Sequence, residues 1–327
     1  MTSKSRRRQT GTLARRTVLA GAAAALGLST GTAGLAGTAM RDRPADPDPA
    51  HWARQVSEER LRETVRALSA FRTRWSESPD FPKVEDWVEN AFLAAGAPRS
   101  AVMRQPFALP SGPVLHNILC GNPRDDAGVV LLGAHYDSIS EQPRTLAPGA
   151  NDNASGMAVL LEAVRILGGQ PFGRAMVFAA FAGEEQGYIG STACAKAAAL
   201  QQWPIVLMVN LDMLGFDPKH PEDPVFIEYD QGNATPSNDD AARRAAMLAA
   251  GVAAGITTLP IEHTDIWNSD YMPFEETGYP CIGFYDGGAE PPLYHTSRDL
   301  ARTMNFPRLT EVARLVVATL AAVAAAG

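Results

Sequence analysis

The sequence has few cysteines. It holds three in 327 residues, at Cys120, Cys194 and Cys281, and none of them forms a CxxC pair. Neither a small disulfide scaffold nor a cysteine-based zinc site fits this number and spacing. The three thiols are predicted to be buried as small apolar side chains, although an oxidising compartment would allow one disulfide.

The chain also lacks internal repeats and, beyond residue 39, any excess of basic residues. Six Lys and Arg and no acid lie in residues 1–39, so the remaining 23 basic and 36 acidic residues leave a formal charge of −13. Phosphate binding needs clustered Lys and Arg. Nucleic acid is therefore excluded as an expected partner.

No apolar run reaches the ~20 residues that a membrane-spanning helix needs. Residues 17–28 near the N-terminus are too short, and so is the uncharged stretch at 315–326, which follows Glu311 and Arg314. The C-terminal stretch is predicted to be a docked amphipathic helix. No stable membrane insertion is expected once the N-terminal segment has been cleaved.

Residues 1–39 have the pattern of an export signal. Arg15 and Arg16 precede an uncharged Ala- and Gly-rich stretch, and the small residues around Ala36 and Ala39 suit signal-peptidase cleavage. The Arg pair resembles a twin-arginine signal, which implies a bacterial protein exported already folded, either secreted or periplasmic. The alternative is a retained membrane helix, for which the apolar stretch is short and weak.

Residues 40–54 are rich in Pro and Asp and are predicted to be a linker, followed by a single domain over 55–327. Unbroken apolar runs predict strands at 114–120, 128–134, 175–182, 205–211 and 280–285. Helical spacing predicts helices at 58–74, 84–95, 155–167, 190–200, 240–251 and 307–326. Such runs suit strands buried on both faces. The expected fold class is α/β, three-layer α-β-α, with a central mixed, mostly parallel sheet.

Acidic and imidazole side chains follow three of these predicted strands. His135 follows the apolar run at 128–134. Glu184 and Glu185 follow the run at 175–182, and Asp212 follows the run at 205–211. Ligands of an open α/β sheet bind beyond the carboxyl ends of its strands. These side chains are therefore expected to converge.

Two further residues complete this set. Asp152 lies just before a predicted helix, where a carboxylate is favoured, and His295 follows the last predicted strand. Imidazole and carboxylate ligands together suit Zn²⁺. Five of them suit two zinc ions per chain if Asp152 bridges both.

The remaining acids have predicted supporting roles. Asp137 and Asp299 are candidates to orient His135 and His295 through the second ring nitrogen. One of the adjacent Glu184 and Glu185 would bind metal and the other would move a proton. Spacing alone leaves the order of that pair open.

The sequence resembles the co-catalytic zinc aminopeptidases, a metallopeptidase family that also includes secreted glutaminyl cyclases. The matching segments are HYDS at 135–138, PGANDNASG at 148–156, FAGEEQGYIGS at 181–191, NLDMLG at 210–215, SDYMPF at 269–274 and YHTSRD at 294–299. They occur in the family's order, and the resemblance extends over nearly all of the chain from residue 55.

The resemblance implies an eight-stranded mixed sheet, two zinc ions and a peptide or aminoacyl substrate. It assigns the metal ligands as follows: His135 and Asp212 on one ion, Glu185 and His295 on the other, and Asp152 on both. It also makes Glu184 the general base and acid and Asp137 the partner of His135. The implied activity is that of an exported aminopeptidase.

One segment departs from the family. Tyr271 stands where many members have His, and Ile266 occupies the neighbourhood of a Tyr that helps some relatives to stabilise the oxyanion. Either Tyr271 takes over that task or the metals carry more of it. Two other functions compete with an aminopeptidase: a glutaminyl cyclase that uses one zinc, and a binding protein that has lost catalysis.

Overall fold

Helices and strands alternate along the part of the chain that a computed structural model describes, namely residue 45 and residues 48–216, 222–232, 235–286 and 293–326. The strands are β1 Val102–Ala108, β2 Val114–Cys120, β3 Val129–His135, β4 Ala175–Phe181, β5 Ile205–Asp212, β6 Val225–Tyr229, β7 Ile261–Thr264 and β8 Cys281–Tyr285. The α-helices are α1 Pro49–Ala53, α2 Glu58–Ser69, α3 Phe81–Ala94, α4 Gly156–Leu167, α5 Ile189–Leu200, α6 Asp239–Ala253, α7 Met272–Glu276 and α8 Phe306–Ala325. The predicted export signal at 1–39 lies outside the described residues.

The eight strands form one mixed sheet in the order β1-β2-β4-β3-β5-β8-β6-β7. Four pairs are parallel, β3 with β4, β3 with β5, β5 with β8, and β6 with β7. The pairs β1/β2, β2/β4 and β6/β8 are antiparallel. The predicted α/β class with a mixed, mostly parallel sheet is confirmed.

Alternate residues of the central strands enter two separate cores. Val130 and Leu132 of β3 belong to the core that includes α2, α3, α4, α6 and α8, whereas Val129 and Leu131 belong to the core that includes α5 and α7. Successive side chains of a strand point to opposite faces. Helices therefore cover both faces of the sheet, as the unbroken apolar runs predicted.

Three strands have no counterpart among the predicted ones. β1 and β7 form the two edges of the sheet, and β6 pairs with β7. Only Phe107 is buried in β1, and no residue is buried in β7. Partly covered strands carry no continuous apolar run, so sequence periodicity does not reveal them.

The folded domain begins inside the range 40–54 that is predicted to be a linker. Within that range α1 forms, capped by the side chain of Asp48, and Trp52 is buried against the ring of Phe172. Burial of this large aromatic side chain fixes the segment. The helix predicted at 58–74 is shorter than expected, since α2 ends at Ser69.

All three cysteines are buried and free, as the prediction of small apolar side chains requires. The terminal helix α8 is likewise docked, with 15 of its 20 residues buried. Among the described residues, no helix has the length and apolar character that crossing a membrane demands.

Candidate metal centre

Three predicted ligands, and the adjacent Glu184, lie where parallel strands end at one edge of the sheet. His135 is the last residue of β3, Asp212 is the last of β5, and Glu184 and Glu185 follow β4. These strands are neighbours and run parallel. Their carboxyl ends therefore bring the four side chains together.

The five predicted ligands converge, with Asp152 between the two imidazoles. His135 Nε2 lies 3.3 Å from Asp152 Oδ1 and 3.6 Å from Asp212 Oδ1. On the other side, His295 Nε2 lies 3.2 Å from Asp152 Oδ2 and 3.0 Å from Glu185 Oε2. Each oxygen of Asp152 thus faces a different imidazole.

The adjacent glutamates face different parts of this centre. Ligand atoms of His135, Asp152 and Glu185 lie within 4.8 Å of one another, and so do those of His135, Glu184 and Asp212. Glu185 therefore lies near Asp152, the carboxylate between the two imidazoles, whereas Glu184 lies near Asp212.

A tight turn positions Asp152. Residues 150–155 form an irregular turn entered through Gly149 with φ at 51°. Asp152 and Asn153 have non-helical backbone angles, and the peptide between them is cis. A Cβ at residue 149 would lie 2.3 Å from the carbonyl oxygen of Asp152, so glycine is required there. Asn153 Nδ2 donates to the carbonyl of Leu211 at 2.8 Å, which ties the turn to β5.

Asp299 supports this turn from a distant part of the chain. Its carboxylate accepts hydrogen bonds from the backbone N–H groups of Asn151 and Asp152, each at 2.9 Å. The structure thus gives Asp299 a different role from the predicted one of orienting His295. Successive backbone N–H groups of a turn form a concave site for an anion, and here they hold the carboxylate of Asp299 against the Asp152 turn.

Asp137 lies between His135 and the turn that carries both glutamates. Its oxygens accept from the N–H groups of Glu184 and Glu185, each at 3.2 Å, and from the hydroxyl of Ser76 at 3.1 Å. His135 Nδ1 lies 3.8 Å from Asp137 Oδ1, which is longer than a hydrogen bond. The fully buried carboxylate of Asp137 therefore fixes the turn after β4. It also faces Nδ1 of His135, the ring that it is predicted to orient.

Arg74 is a residue of the site that the sequence did not reveal. Its fully buried guanidinium donates to the carbonyl oxygens of Leu68, Tyr136, Pro148 and Gly149. Burial lowers its pKa to about 10 against the opposing effect of the acids of the centre, so the group stays charged at neutral pH. It holds the segments after β3 and before the Asp152 turn together. The helical pattern at 58–74 had placed it on a helix.

Ser269 is a second such residue. Its hydroxyl donates to Asp212 Oδ2 at 2.6 Å and accepts from the side-chain amide of Asn210 at 2.8 Å. This leaves Asp212 Oδ1 buried without a hydrogen-bond partner. Ser269 therefore fixes which oxygen of Asp212 faces the centre.

The residues present fit zinc. Asp212 Oδ1 and Glu185 Oε1 are buried and accept no hydrogen bond from the described residues. Leaving such oxygens without a partner is costly unless a cation binds them. Two imidazoles and three carboxylates, one of which lies between the imidazoles, supply the nitrogen and oxygen donors that zinc takes.

Without a metal, the centre holds protons on its imidazoles. Burial opposes protonation of His295, but contacts with Asp152 and Glu185 outweigh it and raise the pKa to about 10. The pKa of His135 is also raised, and that of Asp152 is lowered because the two imidazoles outweigh its burial. Because metals bind neutral imidazole, zinc uptake must release these protons.

A cavity of about 700 Å³ opens beside the centre. Its wall includes Tyr271, whose hydroxyl donates to Glu228 Oε2 at 2.8 Å and accepts from the backbone N–H of Trp267 at 2.7 Å. The single hydroxyl proton of Tyr271 is therefore engaged with Glu228. This favours the alternative in which the metals, and not Tyr271, carry most of the oxyanion stabilisation. Ile266 is buried and offers no polar group.

The metal-free protein is expected to lose stability as the pH rises from 5 to 8. Burial raises the pKa of Glu228 to about 8 and the pKa values of Asp270 and Glu275 to about 7. The folded state therefore binds more protons than the unfolded state over this range, and the free energy of unfolding falls with rising pH. We expect the melting temperature to fall by at least about 3 °C in the presence of a chelator.

Glu228→Gln is the control for this experiment. The variant removes one of the titrating carboxyls and is expected to show a shallower decline between pH 5 and 8. A melting temperature that is constant or rises over this range would contradict the assignment of raised pKa values to these buried acids.

Comparison with known proteins points to one family. The profile described as "Peptidase family M28" matches residues 117–320. The chain is 34% identical over 170 residues to the uncharacterized protein YfbL of Escherichia coli, a match that covers 50% of this chain and 51% of YfbL. It is 26% identical over 278 residues to a probable leucine aminopeptidase of Trichophyton verrucosum, covering 80% of this chain and 72% of that protein. The chain thus spans about half the length of YfbL.

A solved structure has the same fold. The LapA aminopeptidase of Legionella pneumophila superposes with a TM-score of 0.72 at 20% identity, over 85% of this chain and 74% of that one. At this identity the likeness concerns the arrangement of the sheet and its helices.

Proposed function

Because the chain belongs to peptidase family M28, we propose that it is an aminopeptidase that binds two zinc ions. One observation carries this proposal: the two oxygens of Asp152 face His135 and His295 separately, at 3.3 and 3.2 Å. A carboxylate in that position suits a bridge between two ions. The family's name and the probable leucine aminopeptidase among its relatives support hydrolysis of peptides.

The ligands divide into two groups about this bridge. His135 and Asp212 would hold one ion, and Glu185 and His295 the other. The contacts of His135 with Asp212 and of His295 with Glu185 support this division. Zinc bound here would lower the pKa of a water ligand and polarise the scissile carbonyl.

Glu184 acts as general base and then as general acid. It accepts a proton from the attacking water and gives it to the leaving amine. Burial raises its pKa well above the usual range, with further repulsion from Asp270 and Glu185, while His135 opposes the rise. A raised pKa makes this carboxylate a stronger base than an ordinary glutamate, which suits the acceptance of a proton from water. The substrate's free α-amine would lie near Asp212, which accounts for cleavage at the N-terminus.

The mature enzyme acts outside the cytoplasm. The twin-arginine pattern around Arg15 and Arg16 supports export of the folded chain, followed by cleavage near residue 36 or 39.

An assay of the purified mature protein tests these proposals together. It uses a panel of aminoacyl-nitroanilides and a peptide with N-terminal glutamine, with zinc measured on the same sample. We expect hydrolysis of the nitroanilides, two zinc ions per chain, and activity in the periplasm or medium of the producing bacterium.

Other outcomes would redirect the proposal. Cyclisation of the glutamine peptide with one zinc per chain would identify a glutaminyl cyclase. A protein that binds zinc and turns over neither substrate class would contradict an enzymatic role. Activity confined to the cytoplasm would contradict export.

A further inference from the structure

A second group of carboxylates shares no residue with the predicted zinc centre. Asp230 follows β6, Asp239 is the first residue of α6, and Glu275 lies on α7. One oxygen of each residue lies within 4.8 Å of the others. We call these three residues the acidic cluster.

Glu275 is the most deeply buried member of the acidic cluster. Its exposed fraction is 0%, and neither carboxylate oxygen has a partner at hydrogen-bonding geometry, although the side chains of Asn238 and Cys281 lie beside it and oppose the rise of its pKa. No ion pair with a basic side chain of the described residues involves it within 4.0 Å. A buried carboxylate without partners is strongly unfavourable unless it is neutralised.

The other two members add negative charge beside it. Asp230 is buried, and the N–H groups of Gly232 and Thr235 fix the orientation of its carboxylate. Asp239 Oδ1 is buried without a hydrogen-bond partner. The charged groups that act on Asp239 are themselves acidic, namely Asp230, Asp240 and Asp265.

Asn238 supplies a further buried oxygen next to the acidic cluster. Its side chain lies beside Glu275, and its Nδ2 donates to the carbonyl of Tyr279 at 2.8 Å. Because that bond uses the amide nitrogen, Oδ1 remains, and it is buried without a partner. The site therefore offers three carboxylates, with the amide side chain of Asn238 beside them.

We propose that the acidic cluster binds a calcium ion. Calcium takes six to eight oxygen ligands from carboxylates, amides, carbonyls and water in flexible geometry. The three side chains offer oxygen alone, whereas zinc sites favour nitrogen and sulfur. A doubly charged cation would neutralise the buried carboxylates and give Glu275 the partners that the described residues do not provide.

A proton on Glu275 is the competing explanation. Burial, with repulsion from Asp230 and Asp239, raises the pKa of Glu275 to about 7. One proton would neutralise one carboxylate, and its O–H could donate to one of Asp239 Oδ1 and Asn238 Oδ1, but the other oxygen would stay unpartnered and the cluster would keep two negative charges. The two explanations predict different responses to calcium and to Glu275→Gln.

Calcium at this position would link β6, α6 and α7, and two of these elements are continuous with residues that line the catalytic cavity. β6, which precedes Asp230, carries Glu228, and α7 follows Ser269 and Tyr271. All three of these residues line the cavity beside the zinc centre. We therefore expect calcium to stabilise the wall of the substrate cavity as well as the fold.

The test is a calcium titration of the zinc-saturated, full-length mature protein. We expect one binding event per chain by calorimetry, with a dissociation constant of about 1 mM or lower. The melting temperature is expected to rise by at least about 3 °C in 5 mM CaCl₂ relative to NaCl of equal ionic strength. Glu275→Gln is expected to weaken calcium binding by more than about tenfold and to abolish most of that rise.

Glu276→Gln is the matched control, because Glu276 is the exposed neighbour of Glu275. It is expected to keep the full response. If Glu275→Gln does not fold, Asp239→Asn is tested in its place, because Asp239 is the half-buried member of the acidic cluster. A calcium response that is absent from the wild-type protein, or that persists unchanged in both cluster variants, would overturn the proposal.

Discussion

Replacing Glu184 with glutamine is expected to lower kcat by ~10²–10⁴-fold while the protein keeps its zinc. Glutamine preserves the shape of the side chain but cannot take a proton from water. The backbone N–H of Glu184 is held by Asp137 at 3.2 Å, so the substituted side chain should keep its place. Activity against the best nitroanilide of the panel and zinc content by mass spectrometry measure the two effects.

The neighbouring residue provides the decisive contrast. Glu185→Gln changes the carboxylate that lies 3.0 Å from His295 and is expected to lose zinc as well as activity. Glu262→Gln, at an exposed position of β7, should change neither. Equal zinc loss in the variants at 184 and 185, or most of kcat retained in Glu184→Gln, would remove Glu184 from its assigned role.

Asp152→Asn is expected to have the largest effect on metal content. The substitution keeps the size of the side chain and the hydrogen bonds that its backbone makes, but it removes the negative charge between His135 and His295. A bridging carboxylate serves both ions, so both zinc sites should weaken, each by more than about 100-fold. Zinc retained after gel filtration against a competing chelator measures the change.

Asp212→Asn serves as the comparison for that variant. Asp212 contacts His135 and makes no contact with His295 among the ion pairs of the described residues. Its replacement should therefore weaken one zinc ion and spare the other. Two tightly held zinc ions in Asp152→Asn, or equal losses in the two variants, would contradict a bridge at residue 152.

The sequence predicted the centre of the sheet and the residues that converge there. β3, β4 and β5 are buried on both faces, so they carry unbroken apolar runs, and the polar residue that ends each run marks the carboxyl edge. The edge strands β1 and β7 escaped prediction because solvent covers part of each, and their side chains follow no simple apolar pattern.

The supporting contacts were harder to predict. Arg74 donates to the carbonyl oxygens of Tyr136 and Gly149, which lie 62 and 75 residues further along the sequence. Its position at the end of the predicted helix 58–74 does not indicate these long-range hydrogen bonds. Asp299 was singled out, but its nearness to His295 in sequence suggested the wrong partner. Spacing in the sequence carries no information about the turn at 150–155, which contacts Asp299 only in the folded protein.

The hydrogen bonds from Asn151 and Asp152 to Asp299 join residues up to 148 positions apart. A ribosome must therefore release the chain as far as residue 299 before the Asp152 turn gains this support, and His295 emerges at almost the same time. A chain cut short before residue 295 could bury much of its sheet and still lack an assembled metal site. Acquisition of metal would thus report that the chain had been synthesised and folded at least as far as residue 299.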